Sequence, residues 1–357
     1  MTNQSKTIGI DGNEANRGQR VGVGQYAYNI LTQLALLDTT NIYHIYLKSA
    51  PLADMPPASN RWHYHVFGPQ KLWTKLALPF HLYTDGRKRD FFFSPAHYSP
   101  NFSPFPTIPT IHDLGYLSTP EQFTKKDFYQ LTTWTKRSLL KASHIIAVSQ
   151  FTKDEINRIY GINKQIISVI YNGITPPKLD NTDPASVLKK FNITKPYFLY
   201  LGTLKPNKNI PFLIEAFSKT AGHQLVIAGK KGWLFDSIFS AVTKNHLEKS
   251  VIFTDYISET EKWLLYQQAT ATVLPSLYEG FGIPAIESQL MGTPVICSRI
   301  PAFTEVMGDS ATYIDPTSVN SLVTALNKSY TKLSVVKSPP YTWEKSALSL
   351  IEVFSKL

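Results

Sequence analysis

The chain has 357 residues, of which 43% are hydrophobic and 17% charged, and it carries a net charge of +10. That length is long for one domain and ample for two with separate cores, and the composition excludes a disordered or fibrous protein. No apolar run reaches the ~18 residues of a membrane span. The polar start, Met1–Lys6, reads as lacking a signal peptide. The single cysteine, Cys297, lies in an apolar run; it rules out an internal disulfide, suits a reducing cytoplasmic setting and reads as a core residue. Residues 1–194 hold 21 Lys/Arg against 13 Asp/Glu, and residues 195–357 hold 15 against 13. The basic excess therefore belongs to the first half, which suits an anionic partner as well as a plain solvated surface.

In chain order, short β-branched or aromatic runs predict strands at Thr7–Asp11, Tyr43–Leu47, Asp90–Phe93, Thr107–Ile111, His144–Val148 and Ile166–Val169. After a polar, proline-containing stretch at Thr175–Lys195, strands follow at Tyr197–Leu201, Gln224–Ala228, Val251–Phe253, Ala271–Leu274, Pro294–Cys297 and Ala311–Ile314. Helical periodicity separates most of them, notably over Gly24–Leu37, Glu121–Lys141, Ile210–Lys219 and Glu259–Gln268. Such alternation predicts parallel α/β sheets. It divides the chain into a Rossmann-like domain at 1–178, a linker at 179–194, a second Rossmann-like domain at 195–335 and a final segment at 336–357. That last segment holds an amphipathic helix, Tyr341–Leu357, after Pro339-Pro340.

The segment Ser276–Glu287 carries the most chemistry. It sets Glu279 and Glu287 across a glycine-rich turn, Gly280-Phe281-Gly282-Ile283, that leads from the Ala271–Leu274 strand into a helix. Pro284 suits the first helical position and Gly292 the position just past the helix end. Backbone N–H groups around Gly282 and Ile283 then lie free at a helix N-terminus, an anion site flanked by two carboxylates that can bind hydroxyls. A sugar diphosphate needs those two features together.

This segment resembles the two-glutamate motif of retaining, nucleotide-sugar-dependent glycosyltransferases of family 4, and the likeness extends over nearly the whole chain. It implies the GT-B fold: two Rossmann-like doubly wound domains facing across a cleft, with the C-terminal helix crossing back to the first domain. Gly22 and Gly24 match the family's glycine loop, where backbone approaches the donor diphosphate. A dinucleotide fingerprint is a poorer reading of those glycines, because about ten residues separate them from the first strand. His112, in His112-Asp113, matches a histidine that approaches the donor sugar. Lys208 matches a lysine that clamps the diphosphate; Thr203 and Asn207 stand where many relatives have arginine, and Thr203 is kept as a hydrogen-bond donor. Gly229-Lys230 and Tyr256-Ile257 resemble segments that frame the base. Asp255 replaces a usual glycine and tolerates a left-handed backbone. In this picture Glu279 orients the sugar hydroxyls, amides of Phe281 and Gly282 hold the sugar, and Glu287 binds the ribose. Ser149–Asp154 and Tyr171-Asn172-Gly173 match family segments that read as a helix cap and a turn.

No Asp-x-Asp pair occurs, so no metal and no cofactor are expected; Lys208 and helix-terminal amides would offset the diphosphate charge. His63 and His65 share one strand face and read as structural. Over Gln70–Pro79, Leu72, Trp73 and Leu76 read as one helical face beside Lys71 and Lys75, with Arg87-Lys88-Arg89 following. Packing into the first domain is the favoured reading, and peripheral contact with an anionic membrane the alternative. The expected activity is transfer of a hexosyl residue, mannosyl- or rhamnosyl-like, from a nucleotide-sugar donor to a hydroxyl of a glycan or lipid-linked acceptor in cell-surface polysaccharide biosynthesis. The expected setting is the cytoplasm, at the inner face of the membrane if that contact is made. The rival readings are an epimerase or phosphorylase on the same fold, and a non-catalytic anion- or nucleic-acid-binding protein.

Overall fold

Strands that are apolar on both faces need cover on both faces, and this chain supplies it with helices. The computed structural model describes residues 4–96, 98–120, 123–175, 182–232, 235–336 and 339–357. They form two compact units. One contains the chain as far as Leu117, Phe123–Gly173 and Tyr341–Leu357; the other is chiefly Ile174–Pro340.

The first unit runs β1 (Thr7–Asp11), α1 (Val23–Leu37), β2 (Ile42–Leu47), β3 (Trp62–Val66), a π-helical turn (Trp73–Ala77), α2 (Leu78–Thr84), β4 (Phe91–Ser94), β5 (Thr107–Ile111), α3 (Gly115–Ser118), α4 (Lys125–Lys141), β6 (Ile145–Ala147), α5 (Gln150–Tyr160) and β7 (Ile167–Val169). All seven strands are parallel, in the order β3-β2-β1-β4-β5-β6-β7. Ser149 caps α5 by accepting the Thr152 N–H at 3.0 Å.

The second unit contains α6 (Pro184–Lys190), β8 (Tyr197–Leu201), α7 (Ile210–Phe217), β9 (Gln224–Ala228), α8 (Asp236–Lys244), β10 (Val251–Asp255), α9 (Glu259–Gln268), β11 (Ala271–Leu274), α10 (Ile283–Leu290), β12 (Val295–Ser298), α11 (Pro301–Met307), β13 (Thr312–Ile314) and α12 (Val319–Leu326). Its six parallel strands are ordered β10-β9-β8-β11-β12-β13. Cys297 is fully buried in β12, and burial pushes its thiol up to about 12, so it is inert core.

The last helix, α13 (Trp343–Lys356), belongs to the first unit. Trp343, Ala347, Leu350 and Phe354 join the core made by α1 and the β1, β2 and β4 strands. Phe354 lies 5.0 Å from Phe91 and 5.5 Å from Phe93, ring to ring, and Ser346 donates to the Tyr171 carbonyl at 2.7 Å. At Gly173 the two chain segments meet backbone to backbone: a Cβ there would stand 2.1 Å from the Trp343 nitrogen. Gly173 is therefore a close-approach glycine as well as part of a turn.

Several expectations need correction. The sequence left Trp62–Val66 out of its strands, yet it is the edge strand β3. The linker 179–194 includes α6, capped by the Asp183 side chain with Pro184 in its first turn; residues 179–181 lie outside the described residues. The helix expected from Glu121 starts at Lys125, and Glu121 itself lies outside the described residues. Trp73 does not share a face with Leu72 and Leu76: it is 2% exposed and donates to the Phe67 carbonyl at 3.1 Å, whereas they are 58% and 62% exposed. The π turn, entered by Leu72 at φ 53°, rotates the indole inward. Arg89 is likewise no part of a surface triplet; it is buried against Asp85 at 3.0 Å and donates to Tyr46 Oη at 2.5 Å.

Candidate active site

In open parallel sheets, ligands bind beyond the carboxyl ends of the strands where strand order reverses. The second sheet reverses between β8 and β11, and its candidate residues gather there. β8 delivers Gly202-Thr203 and a short turn, Pro206–Lys208; β11 delivers Ser276–Gly282. The two loops are stitched together. Leu277 N–H donates to the Asn207 carbonyl at 2.9 Å, and Asn207 Nδ2 to the Tyr278 carbonyl at 3.4 Å. Across this seam Lys208 Nζ meets Glu279 Oε1 at 2.5 Å, and Ser276 Oγ donates to the same oxygen at 2.7 Å.

Glu279 is thus a half-sheltered carboxylate held by a cation and a hydroxyl. It also raises the Tyr200 phenol, which burial has already pushed well above its ordinary value. Gly282, at φ 100°, starts α10, and a Cβ there would stand 2.6 Å from the Phe303 ring. Pro284 is the second residue of that helix and Gly292, at φ 69°, follows its end.

Glu287 sits one turn into α10, 8% exposed. Lys262 donates to its Oε1 at 2.8 Å and Tyr266 to its Oε2 at 3.1 Å. Burial opposes the Lys262 charge, but Glu287 and Glu259 more than offset it and raise the ammonium above its usual range. Each carboxylate oxygen still has a lone pair free of these bonds, so Glu287 retains capacity for a ligand's hydroxyls. Lys262 and Tyr266 were missed from sequence; they lie 25 and 21 residues before the glutamate they hold.

The ends of β9 and β10 complete this edge. A Cβ on Gly229 would stand 2.0 Å from the Gly202 carbonyl oxygen, so the β8 and β9 ends require glycine. Lys230 lies 4.8 Å above the Tyr256 ring, which is 51% exposed. Asp255 takes φ 54°, the left-handed conformation its short side chain permits. Ile257 is half-buried beside Tyr256, and Thr203 is half-buried after Gly202.

The first unit carries the other predicted residues. Gly22, at φ 52°, is the N-cap of α1, and a Cβ on Gly24 would lie 3.1 Å from the Glu14 carbonyl. His112 follows β5; its Nε2 lies 2.8 Å from the Pro95 carbonyl, which makes that nitrogen the protonated one, and the ring abuts Tyr26 edge-on at 4.7 Å. Asp113 does different work, accepting the Gly115 N–H at 3.0 Å to start α3. Asp11 was missed. It ends β1 at the same edge, where burial raises its carboxyl to about 6 despite hydrogen bonds from Asn13; an acidic residue closing the first strand was the available signal.

The paired histidines belong to packing. His44, His63, His65 and Tyr46 stack along β2 and β3 with centroids 5.0–5.1 Å apart. Arg87 donates to His65 Nδ1 at 3.2 Å, so His65 Nε2–H must donate to His44 Nδ1 at 2.8 Å. Among the described residues no group of three His, Cys, Asp or Glu is placed to hold a metal.

Two parallel α/β sheets, with the C-terminal helix packed into the first core and a carboxylate–lysine seam at the second sheet's switch point, define a two-domain α/β protein with a candidate ligand site beyond its strand ends. The family profile "Glycosyltransferase Family 4" matches residues 22–177 and "Glycosyl transferases group 1" matches residues 186–333, and the chain belongs to this glycosyltransferase family. It is 27% identical to O-antigen chain mannosyltransferase B of Escherichia coli over 70% of each chain. It is 32% identical to O-antigen chain mannosyltransferase RfbU of Salmonella typhimurium over 61% of this chain and 59% of that one. Among solved structures, HepE of Anabaena in complex with UDP-glucose superposes with a TM-score of 0.75 at 18% identity, covering 99% of this chain and 100% of that one. A sucrose-phosphate synthase of Thermosynechococcus elongatus gives 0.74 at 18%, covering 98% of both. These structures share the GT-B fold. Family membership favours a glycosyltransferase over the epimerase, phosphorylase and non-catalytic anion- or nucleic-acid-binding readings. No helix among the described residues is long and apolar enough to cross a membrane.

Proposed function

We propose that the protein transfers a mannosyl-type hexose, with retention of configuration and without a metal or cofactor, from a nucleotide-sugar donor to a hydroxyl of a glycan or lipid-linked acceptor in cell-surface polysaccharide synthesis. The observation that carries the reading is the Lys208–Glu279 pair at the second sheet's switch point, beside the N-terminus of α10. The sugar preference rests on the two O-antigen mannosyltransferases.

In this reading Lys208 and the α10 amides take up the charge that develops on the departing diphosphate. Glu279, freed from Lys208 as the phosphate arrives, turns its oxygens to the sugar hydroxyls. Glu287 receives the ribose, the amides of Gly280–Ile283 hold the sugar, and Gly229, Lys230, Tyr256 and Ile257 border the base. Thr203 donates to phosphate, Gly22 and Gly24 let backbone approach it, and His112 serves the reacting face. The work is done at the cytoplasmic face of a membrane that the protein touches peripherally.

The test is a thermal-shift and hydrolysis screen against GDP-mannose, UDP-glucose, UDP-N-acetylglucosamine and dTDP-rhamnose, in EDTA and in magnesium, with the product anomer read by NMR. The expected result is stabilisation by GDP-mannose, unchanged turnover in EDTA and a retained anomer. No shift with any donor would overturn the reading; turnover restored only by magnesium would overturn metal independence.

A further inference from the structure

At the amino edge of the first sheet, opposite the strand ends that carry Asp11 and His112, a hollow of about 270 Å³ is lined from α4 and from the loop between β4 and β5. Arg137 and Lys141 line it, one turn apart on α4, and no aspartate or glutamate does. Among the described residues neither cation forms an ion pair. The one acidic residue of α4, Asp127, lies in its first turn, about 15 Å along the helix from Arg137, and accepts from Thr124. Like charges four residues apart on a helix repel, a cost that an anion between them removes.

Cations near a helix C-terminus also complement its dipole. That accounts for Lys141, whose Nζ donates to the Asn101 carbonyl at 3.2 Å and lies 5.2 Å from the Phe102 ring. It does not account for Arg137, a turn earlier, nor for the floor of the hollow. There Ser99 and Thr107 are 7% and 6% exposed, and among the described residues neither Ser99 Oγ nor Thr107 Oγ1 has a hydrogen-bond partner. An unpaired buried hydroxyl is costly, and two in one hollow are donors for an acceptor held within it. The walls are braced: Ser138 Oγ accepts the Ser99 N–H at 3.0 Å, and Ser103 Oγ accepts the Phe105 N–H at 3.1 Å.

A phosphate monoester meets this donor set, with a charge near −2 for the two cations and three acceptor oxygens for the hydroxyl and N–H groups. A carboxylate's single charge would leave one cation unmatched. The volume falls just below the usual range of ligand pockets, and Tyr83 and Phe102, 60% and 64% exposed, offer ring faces at the rim to the rest of the ester.

We infer that this hollow binds a small soluble phosphate monoester, of the sugar-phosphate class, apart from the edge where transfer takes place. The inference goes beyond the glycosyl-transfer reading and does not depend on it.

The full chain is titrated by calorimetry with mannose 6-phosphate and mannose 1-phosphate, beside inorganic phosphate, acetate and free mannose. The esters should bind and raise the melting temperature, and mannose and acetate should do neither. Arg137→Gln/Lys141→Gln should weaken the esters about a hundredfold, tenfold per charged group lost. Lys125→Gln/Lys126→Gln, which removes equal charge from the other end of α4, should change little. Ser99→Ala/Thr107→Val separates ligand from scaffold: deleting unpaired hydroxyls should leave the melting temperature unchanged or higher and weaken binding about tenfold. A lower melting temperature with unchanged binding would give those hydroxyls to packing and overturn the site. No binding of either ester, unchanged binding in the cation variant, or an equal loss in the α4 control would overturn it too. Acetate matching the esters would overturn phosphate, and inorganic phosphate matching them would overturn the ester. GDP should not displace them; displacement would place them in the donor site instead. Recruitment to phosphatidate vesicles without binding of the soluble esters would assign the hollow to a headgroup and overturn the soluble ligand. Donor hydrolysis, run alongside, stands or falls separately, so failure here leaves the transferase reading untouched.

Discussion

Replacing Glu287 by alanine should cost stability as well as donor affinity, and the size of that cost follows from its partners. Lys262 and Glu287 have side chains only 14% and 10% exposed, 2.8 Å apart. Stranding a buried charge by deleting its partner costs about 3–5 kcal/mol. Here Glu259 remains 2.7 Å from Lys262, itself 75% exposed, and that solvent-screened partner brings the loss down to about 2 kcal/mol. The fully buried Tyr266 hydroxyl loses its acceptor, about 1 kcal/mol more. The sum, about 3 kcal/mol, corresponds to a midpoint lowered by roughly 6–12 °C for a unit of this size. Calorimetry on Glu287→Ala, Lys262→Met and the double variant measures it. The double variant should be about 2 kcal/mol more stable than the two single losses added together, since neither charge is then stranded. Additivity within about 0.5 kcal/mol would refute the claim that the two groups hold each other. Donor binding by Glu287→Ala is therefore to be measured well below its own midpoint.

Other consequences are as direct. Gly173→Ala should destabilise the first unit by about 3 kcal/mol in urea, because the new Cβ meets backbone 2.1 Å away, while Gly18→Ala, with nothing within 4 Å, should not; equal midpoints would refute the close approach. Stability should fall as pH drops below about 6.5. Burial, with Arg89 and Arg87 respectively the next causes, lowers His44 to about 3 and His65 to about 4, so the unfolded chain takes up protons that the folded one refuses. Asp11 works the other way: raised to about 6, its contribution is complete below 3.8 and is lost as pH rises through 6. His44→Gln should flatten the acid limb, and an unchanged slope would refute its part. In steady-state kinetics, Glu279→Ala and His112→Ala should mainly lower kcat, and Glu287→Ala should mainly raise the donor KM; wild-type kinetics in Glu279→Ala would remove it from the site.

What the sequence disclosed depended on whether an element's signal is local. Tyr197–Leu201, Gln224–Ala228 and Ala271–Leu274 are short apolar runs closed by glycine, proline or polar residues, and the strands coincide with them. Trp62–Val66 alternates aromatic and histidine side chains on a half-exposed edge, so it lacks the buried-strand pattern. Glu279 and Lys208 were each readable from their own loops. Their contact was not, because it depends on β8 and β11 lying side by side. Trp73 misled because a π turn does not keep the 3.6-residue period on which face assignments rest. In the sequence Asp11 is only the end of a strand and Lys262 only a position in a helix; burial is what raises the Asp11 carboxyl to about 6, and the fold is what places Lys262 between two carboxylates.

The place of α13 in the first core has a consequence for how the protein is made. The first sheet is complete once β7 leaves the ribosome, yet the groove beside α1 stays open until Trp343–Lys356 has been synthesised. All of Ile174–Pro340 comes in between. At translation rates of 5–20 residues per second, that interval is roughly 10–30 s. Throughout it Ile174–Pro340, the bulk of the second unit, can fold, while the first waits with Tyr26 and Phe91 lacking the Trp343 and Phe354 rings that pack on them. The N-terminal unit is begun first and is completed only after the bulk of the second has been made.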